Sequence, residues 1–311
     1  MTAVKDAAAG HHQGIPAVGC AFASEMVNLN GPVHLVDYGG AGRPVILIHG
    51  LGGSYVNWIA SAADFAKHGH VVAPDLIGFG LTPPKGRRST VDTNADLIVD
   101  LIHYLGSEPA LLVGNSMGGL IAMLVARANP ELVAGVVLLD PALPMRIPNL
   151  DPRGLVQLFG PHLPVLALAA VRKAPIGSEP ENHMASALKM LVADPHSIED
   201  WVLDAHLDVA RKRLRMPWVT PAFLEAMRST VERLTSRTRF RTLVNAIAAP
   251  ALVVHGKQDR LVPVSAARWL AKHRAGWRYE FLDGVGHIPH LEVPEVVASL
   301  VDSFVRDQVP T

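Results

Sequence analysis

The chain of 311 residues has one cysteine, no excess of charge and no long apolar run. Cys20 has no second cysteine with which to form a disulfide, which favours a reducing compartment. Lysine and arginine together number 28, as do aspartate and glutamate, so charge gives no reason to expect nucleic acid or an anionic membrane as a partner. The longest apolar candidate, residues 163–171, is far shorter than the roughly 20 residues of a membrane span.

Targeting and cofactor signals are missing as well. A secretory leader needs a basic start and a continuous apolar core, and Asp6, His11 and His12 interrupt that stretch. The sequence has no Gly-x-Gly-x-x-Gly and no glycine-rich loop ending in Gly-Lys-Ser/Thr, and its histidines and carboxylates show no metal-ligand spacing. We therefore expect a cytoplasmic protein that uses no cofactor and no metal, with a small, uncharged molecule as its partner.

What the sequence does contain is a series of short apolar runs that alternate with helical patterns. Asn30 and Gly31 first form a hairpin signal within residues 27–38. The later runs read as strands, at residues 44–48, 70–75, 111–113, 135–140, 251–255 and 278–282. Those at 44–48 and 135–140 are typical of strands buried on both faces. This alternation predicts an α/β fold with a mostly parallel, eight-stranded sheet flanked by helices.

The composition changes after residue 140. Residues 141–245 contain 11 prolines and several helical patterns but no clear strand. We therefore predict a helical cap, or lid, at residues 141–245, inserted into a core made of residues 27–140 and 246–311. Residues 1–26 are predicted to be a flexible tail.

The most informative stretch is Gly114-Asn115-Ser116-Met117-Gly118, which follows a strand-like run and precedes a helical pattern. A Gly-x-Ser-x-Gly in this context predicts a sharp strand-to-helix turn with an exposed serine. Side chains at Gly114 and Gly118 would collide with the neighbouring backbone. Ser116 is therefore predicted to stand above the end of its strand as a nucleophile.

Three further motifs follow predicted strands directly. They are the glycine-rich loop His49–Gly53, Asp259 and His287. Because the carboxyl ends of parallel strands meet at one edge of a sheet, these groups are expected to converge near Ser116. A serine hydroxyl needs a base to remove its proton, histidine can act as that base, and a carboxylate fixes the histidine tautomer.

Two other aspartates also end strands. Asp140 follows the run at residues 135–139 and is an alternative candidate for the acid. Asp75 is predicted to brace its turn, since an aspartate side chain commonly accepts hydrogen bonds from nearby backbone donors.

The order Ser, Asp, His, with the glycine-rich loop upstream, resembles the α/β-hydrolase fold superfamily, specifically its capped, lipase- or esterase-like serine hydrolases. The resemblance covers about residues 27–305. It implies that Ser116 is the nucleophile, Asp259 the acid and His287 the base of a catalytic triad. It also implies that residues 141–245 correspond to the lid of those enzymes.

The same resemblance implies an oxyanion hole, in which the backbone N–H groups of Leu51 and Met117 stabilise the negative charge that develops on the substrate. Gly50 and Asn115, beside these donors, are expected to contact the substrate. Loss of a single oxyanion donor typically costs about 100- to 1000-fold in turnover, so these backbone groups matter as much as side chains.

The leading functional prediction is hydrolysis of a carboxylic ester of a small or lipid-like apolar substrate, through an acyl-enzyme. One alternative is hydrolysis of a carbon–carbon bond in a ring meta-cleavage product, because Asn115 resembles that group, although the loop His49–Gly53 departs from its usual Gly-Pro form. Another is a ligand-binding protein that keeps the fold without turnover. Epoxide and haloalkane hydrolysis normally need a carboxylate nucleophile, and Ser116 argues against both.

Overall fold

The computed structural model describes residues 22–145 and 188–310, and within them eight strands form one sheet. The strands are β1 (Ala23–Asn28), β2 (Pro32–Gly39), β3 (Pro44–Ile48), β4 (His70–Pro74), β5 (Ala110–Asn115), β6 (Val133–Leu139), β7 (Ala251–Gly256) and β8 (Arg278–Leu282). Their order across the sheet is β1-β2-β4-β3-β5-β6-β7-β8. β2 pairs antiparallel with β1 and β4, and every other pairing is parallel. The predicted eight-stranded, mostly parallel sheet is confirmed.

Helices cover both faces of this sheet. The α-helices are α1 (Ala62–Phe65), α2 (Val91–Tyr104), α3 (Met117–Ala128), α4 (Asp200–Arg213), α5 (Val219–Leu234), α6 (Arg237–Asn245), α7 (Val264–His273), α8 (Pro289–Glu292) and α9 (Pro294–Gln308). Helices α1 and α9 pack on one face, while α2, α3, α5, α6 and α7 pack on the other. The chain therefore forms three layers, as the alternating pattern predicts.

The central strands show why the apolar runs read as strands. In β3, Val45 and Leu47 point into one layer of the core, and Ile46 and Ile48 point into the other. Successive side chains of a strand alternate between faces, and helices cover both faces here, so every position must be apolar. All five residues of β3 are buried.

The first strand begins earlier than the sequence predicts. β1 begins at Ala23, so the predicted tail boundary at residue 26 is wrong. Four of the first five residues of β1 are exposed, and the strand pairs with β2 through backbone hydrogen bonds, to which Ser24 Oγ and His34 Nε2 add one side-chain hydrogen bond of 2.7 Å. An exposed edge strand carries no apolar periodicity, and this is why the residues of β1 before Val27 were not predicted as a strand.

The described part of the predicted cap is helical. Helices α4, α5 and α6 lie there, and residues 188–191 are also helical, while the helical pattern at residues 163–173 lies outside the described residues. Val209 of α4 packs on Val56 of the core, close to the loops that follow β3 and β4. The boundaries of the cap stay a prediction. Of the helices that the structure describes, none combines the length and the apolar content needed to cross a bilayer.

Asp75, directly after β4, holds together the loops beneath the carboxyl edge of the sheet. Its fully buried carboxylate accepts hydrogen bonds from the N–H of Tyr55 at 2.7 Å, the N–H of Leu81 at 2.8 Å and Nδ1 of His34 at 2.8 Å. The side chain thus braces the turn, as the sequence predicts, and it braces two distant segments as well.

Replacement of Asp75 by alanine is expected to lower the free energy of unfolding by about 3 kcal/mol or more. One buried and two partly buried donors lose their acceptor, and the loss of a buried hydrogen-bond partner costs about 1–3 kcal/mol. Urea unfolding measures the change, with the exposed Asp64→Ala as a matched control. If both variants unfold at the same urea concentration, Asp75 is not the brace that its contacts indicate.

Candidate active site

Ser116 stands alone between a strand and a helix. β5 ends at Asn115 and α3 begins at Met117, both of which are buried, while Ser116 between them is only partly buried. Its φ of 55° and ψ of −116° lie outside the regions that residues with a side chain usually adopt. Such strain persists only where surrounding structure enforces it, and it is common at functional sites.

Glycines enforce this turn. A Cβ on Gly118 would lie 2.0 Å from the carbonyl oxygen of Ile48, and a Cβ on Gly114 would lie 2.4 Å from that of Gly118. A Cβ on Gly50 would lie 3.2 Å from Cβ of Ser116. The collisions predicted for the two flanking glycines are confirmed. The turn, the end of β3 and the glycine-rich loop therefore touch one another through bare backbone.

His49 fixes the orientation of that loop, a role that the sequence reasoning missed. Its Nδ1 donates to the carbonyl of Gly50 at 2.8 Å, and its Nε2 accepts the N–H of Leu76 at 3.1 Å. A carbonyl only accepts and an N–H only donates, so the ring is neutral with its proton on Nδ1. Burial lowers the pKa of His49 to about 4, in agreement with that neutral form.

The peptide held by His49 carries one of the predicted oxyanion donors. The carbonyl of Gly50 and the N–H of Leu51 belong to one planar peptide and point in opposite directions. In the described part of the chain, no hydrogen bond is made by the N–H of Leu51, or by that of Met117 at the start of α3. Two backbone donors therefore remain available beside Ser116, and α3 adds the partial positive charge of its N-terminus.

His287 and Asp259 form a hydrogen-bonded pair at the same edge of the sheet. Nδ1 of His287 donates to Oδ2 of Asp259 at 2.7 Å, and both residues are buried. Asp259 follows β7, and His287 follows β8. Because Nδ1 carries the donated proton, Nε2 of the neutral ring is left as an acceptor. The two residues thus have the tautomer and orientation that the predicted base and acid require.

Asn115 links this pair to Ser116. Its side-chain amide donates to the carbonyls of Leu139 and His287, both at 3.0 Å. Between Ser116 Oγ and His287 the described residues contain no direct hydrogen bond, and in unliganded sites such bonds often tighten only when substrate binds. The amide of Asn115 holds the segment of His287 against the serine turn. Its predicted contact with substrate stays a prediction.

Asp140 lies beside the pair. One ligand atom from each of Asp140, Asp259 and His287 falls within 4.8 Å of the others, a spacing that could suit a metal ion. However, the His287 and Asp259 atoms are already joined by their hydrogen bond. We therefore interpret this cluster as a hydrogen-bonded network.

Residues 45–300 match the sequence profile of the alpha/beta hydrolase family. The chain belongs to this family.

The relatives of this alpha/beta hydrolase are named for different substrates. It is 29% identical over 292 residues to 2-hydroxy-6-oxo-6-(2'-aminophenyl)hexa-2,4-dienoic acid hydrolase of Metapseudomonas resinovorans, a match that covers 91% of each chain. It is 28% identical to human monoacylglycerol lipase ABHD6, over 86% of this chain and 78% of that one. A serine hydrolase involved in carbazole degradation, the CarC enzyme, has a similar structure, with a TM-score of 0.71 and 26% identity over 92% of this chain and 99% of that one.

Glu292 of this alpha/beta hydrolase supports the loop that carries His287, and the sequence reasoning did not find it. Its carboxylate accepts the N–H of Gly286 at 2.9 Å and the N–H of Ala193 at 2.8 Å. The N–H of His287 itself donates to the carbonyl of Leu191 at 2.6 Å. A segment of the predicted cap, at Leu191 and Ala193, is therefore bonded directly to the loop of His287.

Proposed function

We propose that this hydrolase cleaves a carboxylic ester of a small or lipid-like apolar substrate through a covalent acyl-enzyme. The proposal rests on one arrangement: a strained Ser116 beside two backbone donors that bond nothing in the described residues, at the edge of the sheet where His287 is already oriented by Asp259. These are the parts that acyl transfer to a serine requires.

In the first half of the proposed reaction, Oγ of Ser116 attacks the ester carbonyl while Nε2 of His287 takes the hydroxyl proton. The carbonyl oxygen becomes an oxyanion, which the N–H groups of Leu51 and Met117 stabilise. Asp259 stabilises the imidazolium, which then gives its proton to the departing alcohol. An acyl group is left on Ser116.

In the second half, Nε2 of His287 takes a proton from water, and the resulting hydroxide oxygen attacks the acyl carbon. The same two N–H groups stabilise the second oxyanion. Collapse of this intermediate releases the acid, and Ser116 regains its proton from His287. Every proton is thus transferred by His287.

A specific contact favours a second candidate, the hydrolysis of a carbon–carbon bond in an acidic dienone. Arg213, at the end of α4, donates to the carbonyl of Gly52 at 2.7 Å, next to the proposed oxyanion donor Leu51. Its Nε is buried and has no partner among the described residues, so this cation could pair with a substrate carboxylate. The Metapseudomonas relative is named for such an acid. We place this candidate second because a carbanion is a much poorer leaving group than an alkoxide.

A substrate panel tests the two candidates. We expect p-nitrophenyl esters of increasing acyl length to be hydrolysed with an initial burst of p-nitrophenol, because acylation releases the alcohol before deacylation. The dienone acid formed by ring meta-cleavage is expected to react more slowly, which its loss of absorbance measures. Faster turnover of the dienone acid would reverse the ranking.

Arg213→Gln serves as the matched variant for that panel. It should leave KM for neutral esters close to its original value, since a neutral acyl chain gains little from the guanidinium. If the dienone acid is the true substrate, the same variant should raise its KM by about 10-fold or more, the cost of a lost charge-assisted hydrogen bond.

A further inference from the structure

Two carboxyl groups, rather than one, lie behind His287. Asp140 directly follows β6 and Asp259 follows the neighbouring β7, and both side chains are buried. An oxygen of each falls within 4.8 Å of the other and of the His287 ring. Asp140 adopts a φ of 43°, an unusual conformation that turns the chain sharply at this point. Two buried negative charges this close would repel strongly, so one proton must be shared between them.

Asp259 has hydrogen-bond donors for both of its oxygens. Oδ1 accepts the N–H of Leu261 at 2.7 Å and that of Val262 at 2.9 Å, and Oδ2 accepts Nδ1 of His287 at 2.7 Å. A carboxylate that accepts three hydrogen bonds is stabilised in its charged form. Asp259 is therefore the group that carries the negative charge.

Asp140 is satisfied on one side only. Its Oδ1 accepts the N–H of Gly256 at 2.9 Å and lies 3.5 Å from Nε2 of His255, which itself donates to the carbonyl of Val262. Its Oδ2 is buried and has no donor within the described part of the chain. An anionic oxygen without a donor in such a place is costly, whereas a protonated oxygen becomes a donor itself.

We infer that Asp140 is protonated at neutral pH and donates its proton to Asp259, so that the acid behind His287 is a carboxylic acid–carboxylate pair. Asp140 is then a positioning residue, which acts on His287 through Asp259. The kinetic consequences rest on the proposed function, but the protonation state does not.

The groups that face the pair agree with this assignment. Burial raises the pKa of Asp140 well above its ordinary value, and the charge of Asp259 and the more distant Glu292 raise it further. Burial would also raise the pKa of Asp259, but His287, His255 and the hydrogen bond with Asp140 bring it below its ordinary value. Burial lowers the pKa of His255, so this neighbour supplies no permanent positive charge that could keep both carboxyl groups ionised.

This pairing gives the site a second carboxyl group that can replace Asp259 as the acid behind His287. When Asp259 is replaced by asparagine, the charge that kept Asp140 protonated disappears, so Asp140 can ionise beside His287. We therefore expect Asp259→Asn to lower kcat/KM for an ester by about 100-fold, and Asp140→Asn/Asp259→Asn by about 10,000-fold, the usual cost of a triad without its carboxylate. A loss of about 10,000-fold in Asp259→Asn alone would show that Asp140 cannot take over.

The side chain at position 140 should matter as a donor. Asparagine keeps an N–H that can point at Asp259, so Asp140→Asn should lower kcat/KM by about threefold, against about 30-fold for Asp140→Ala, which leaves Asp259 without this hydrogen bond. Equal losses in the two variants would overturn the inference. Circular dichroism and urea unfolding establish that the variants are folded.

Infrared spectroscopy tests the proton without any substrate. At pH 7 the wild-type enzyme should show the C=O stretch of a protonated carboxylic acid, which Asp140→Asn removes and Ser116→Ala retains. A band that is retained in Asp140→Asn and lost in Glu292→Gln would show that the protonated group is Glu292, which would overturn the inference. If no ester is hydrolysed but the Asp140 band is present, the proposed function fails and the paired acid stands.

Discussion

Replacement of Ser116 by alanine is expected to lower kcat for ester hydrolysis by about a millionfold, which would bring turnover close to the background rate. In serine hydrolases of known mechanism, loss of the nucleophile or its base costs about this much, because the members of the triad act as one unit. KM should change little, since no contact to the substrate beyond Oγ is removed. Steady-state kinetics with a p-nitrophenyl ester measures the effect.

A covalent probe makes the same test independent of the substrate. Wild-type enzyme should gain one fluorophosphonate adduct by intact-mass analysis, and Ser116→Ala should gain none. Ser265→Ala, at an exposed serine in the first turn of α7, is the matched control and should react as wild type does. An unlabelled wild-type enzyme would leave the non-catalytic, ligand-binding alternative as the better account of the chain.

The parts of the fold that are buried on both faces could be predicted from the sequence. β3 has the bounds that its apolar run indicates, because continuous burial produces a continuous pattern. β1 could not be predicted in full, since the ladder that joins it to β2 is made of backbone hydrogen bonds, which leave no trace in residue type. Prediction failed where the stabilising groups are backbone N–H and C=O groups, which are common to nearly all residues.

The candidate site divides in the same way. Ser116, Asp259 and His287 could be found because each directly follows a strand, and parallel strands bring such positions to one edge. The contacts that support the site could not be predicted, because they join segments far apart in sequence. Glu292 bonds to Ala193 only once the segment that contains Ala193 has packed against the core, and Asp140 lies beside Asp259 only once the sheet has formed.

The supports of the site act on the main chain. Asn115, His49 and Glu292 each bond backbone groups of a neighbouring loop. The backbone itself is what must be positioned, since two of the proposed catalytic groups are peptide N–H groups. A small displacement of the main chain should therefore be as damaging as the loss of a side chain.

Gly118→Ala tests that view, and we expect it to lower both stability and turnover. The new Cβ would lie 2.0 Å from the carbonyl oxygen of Ile48 and 2.7 Å from that of His49. Both are backbone atoms at the end of β3, so no side-chain rotation can relieve the contact, and α3 must move away. The free energy of unfolding should fall by about 3 kcal/mol, the upper range for overpacking.

The movement of α3 also carries the N–H of Met117 away from the proposed oxyanion hole, which should lower kcat by about 100- to 1000-fold in the protein that remains folded. Gly276→Ala is the matched control, because the nearest atom to its new Cβ is Nη1 of Arg274 at an ordinary 3.5 Å, and it should change neither quantity. Urea unfolding and ester kinetics, normalised to folded protein, separate the two effects. A Gly118→Ala enzyme that is less stable but turns over normally would show that Met117 is not an oxyanion donor, since its N–H cannot keep its place when the helix that begins with it shifts.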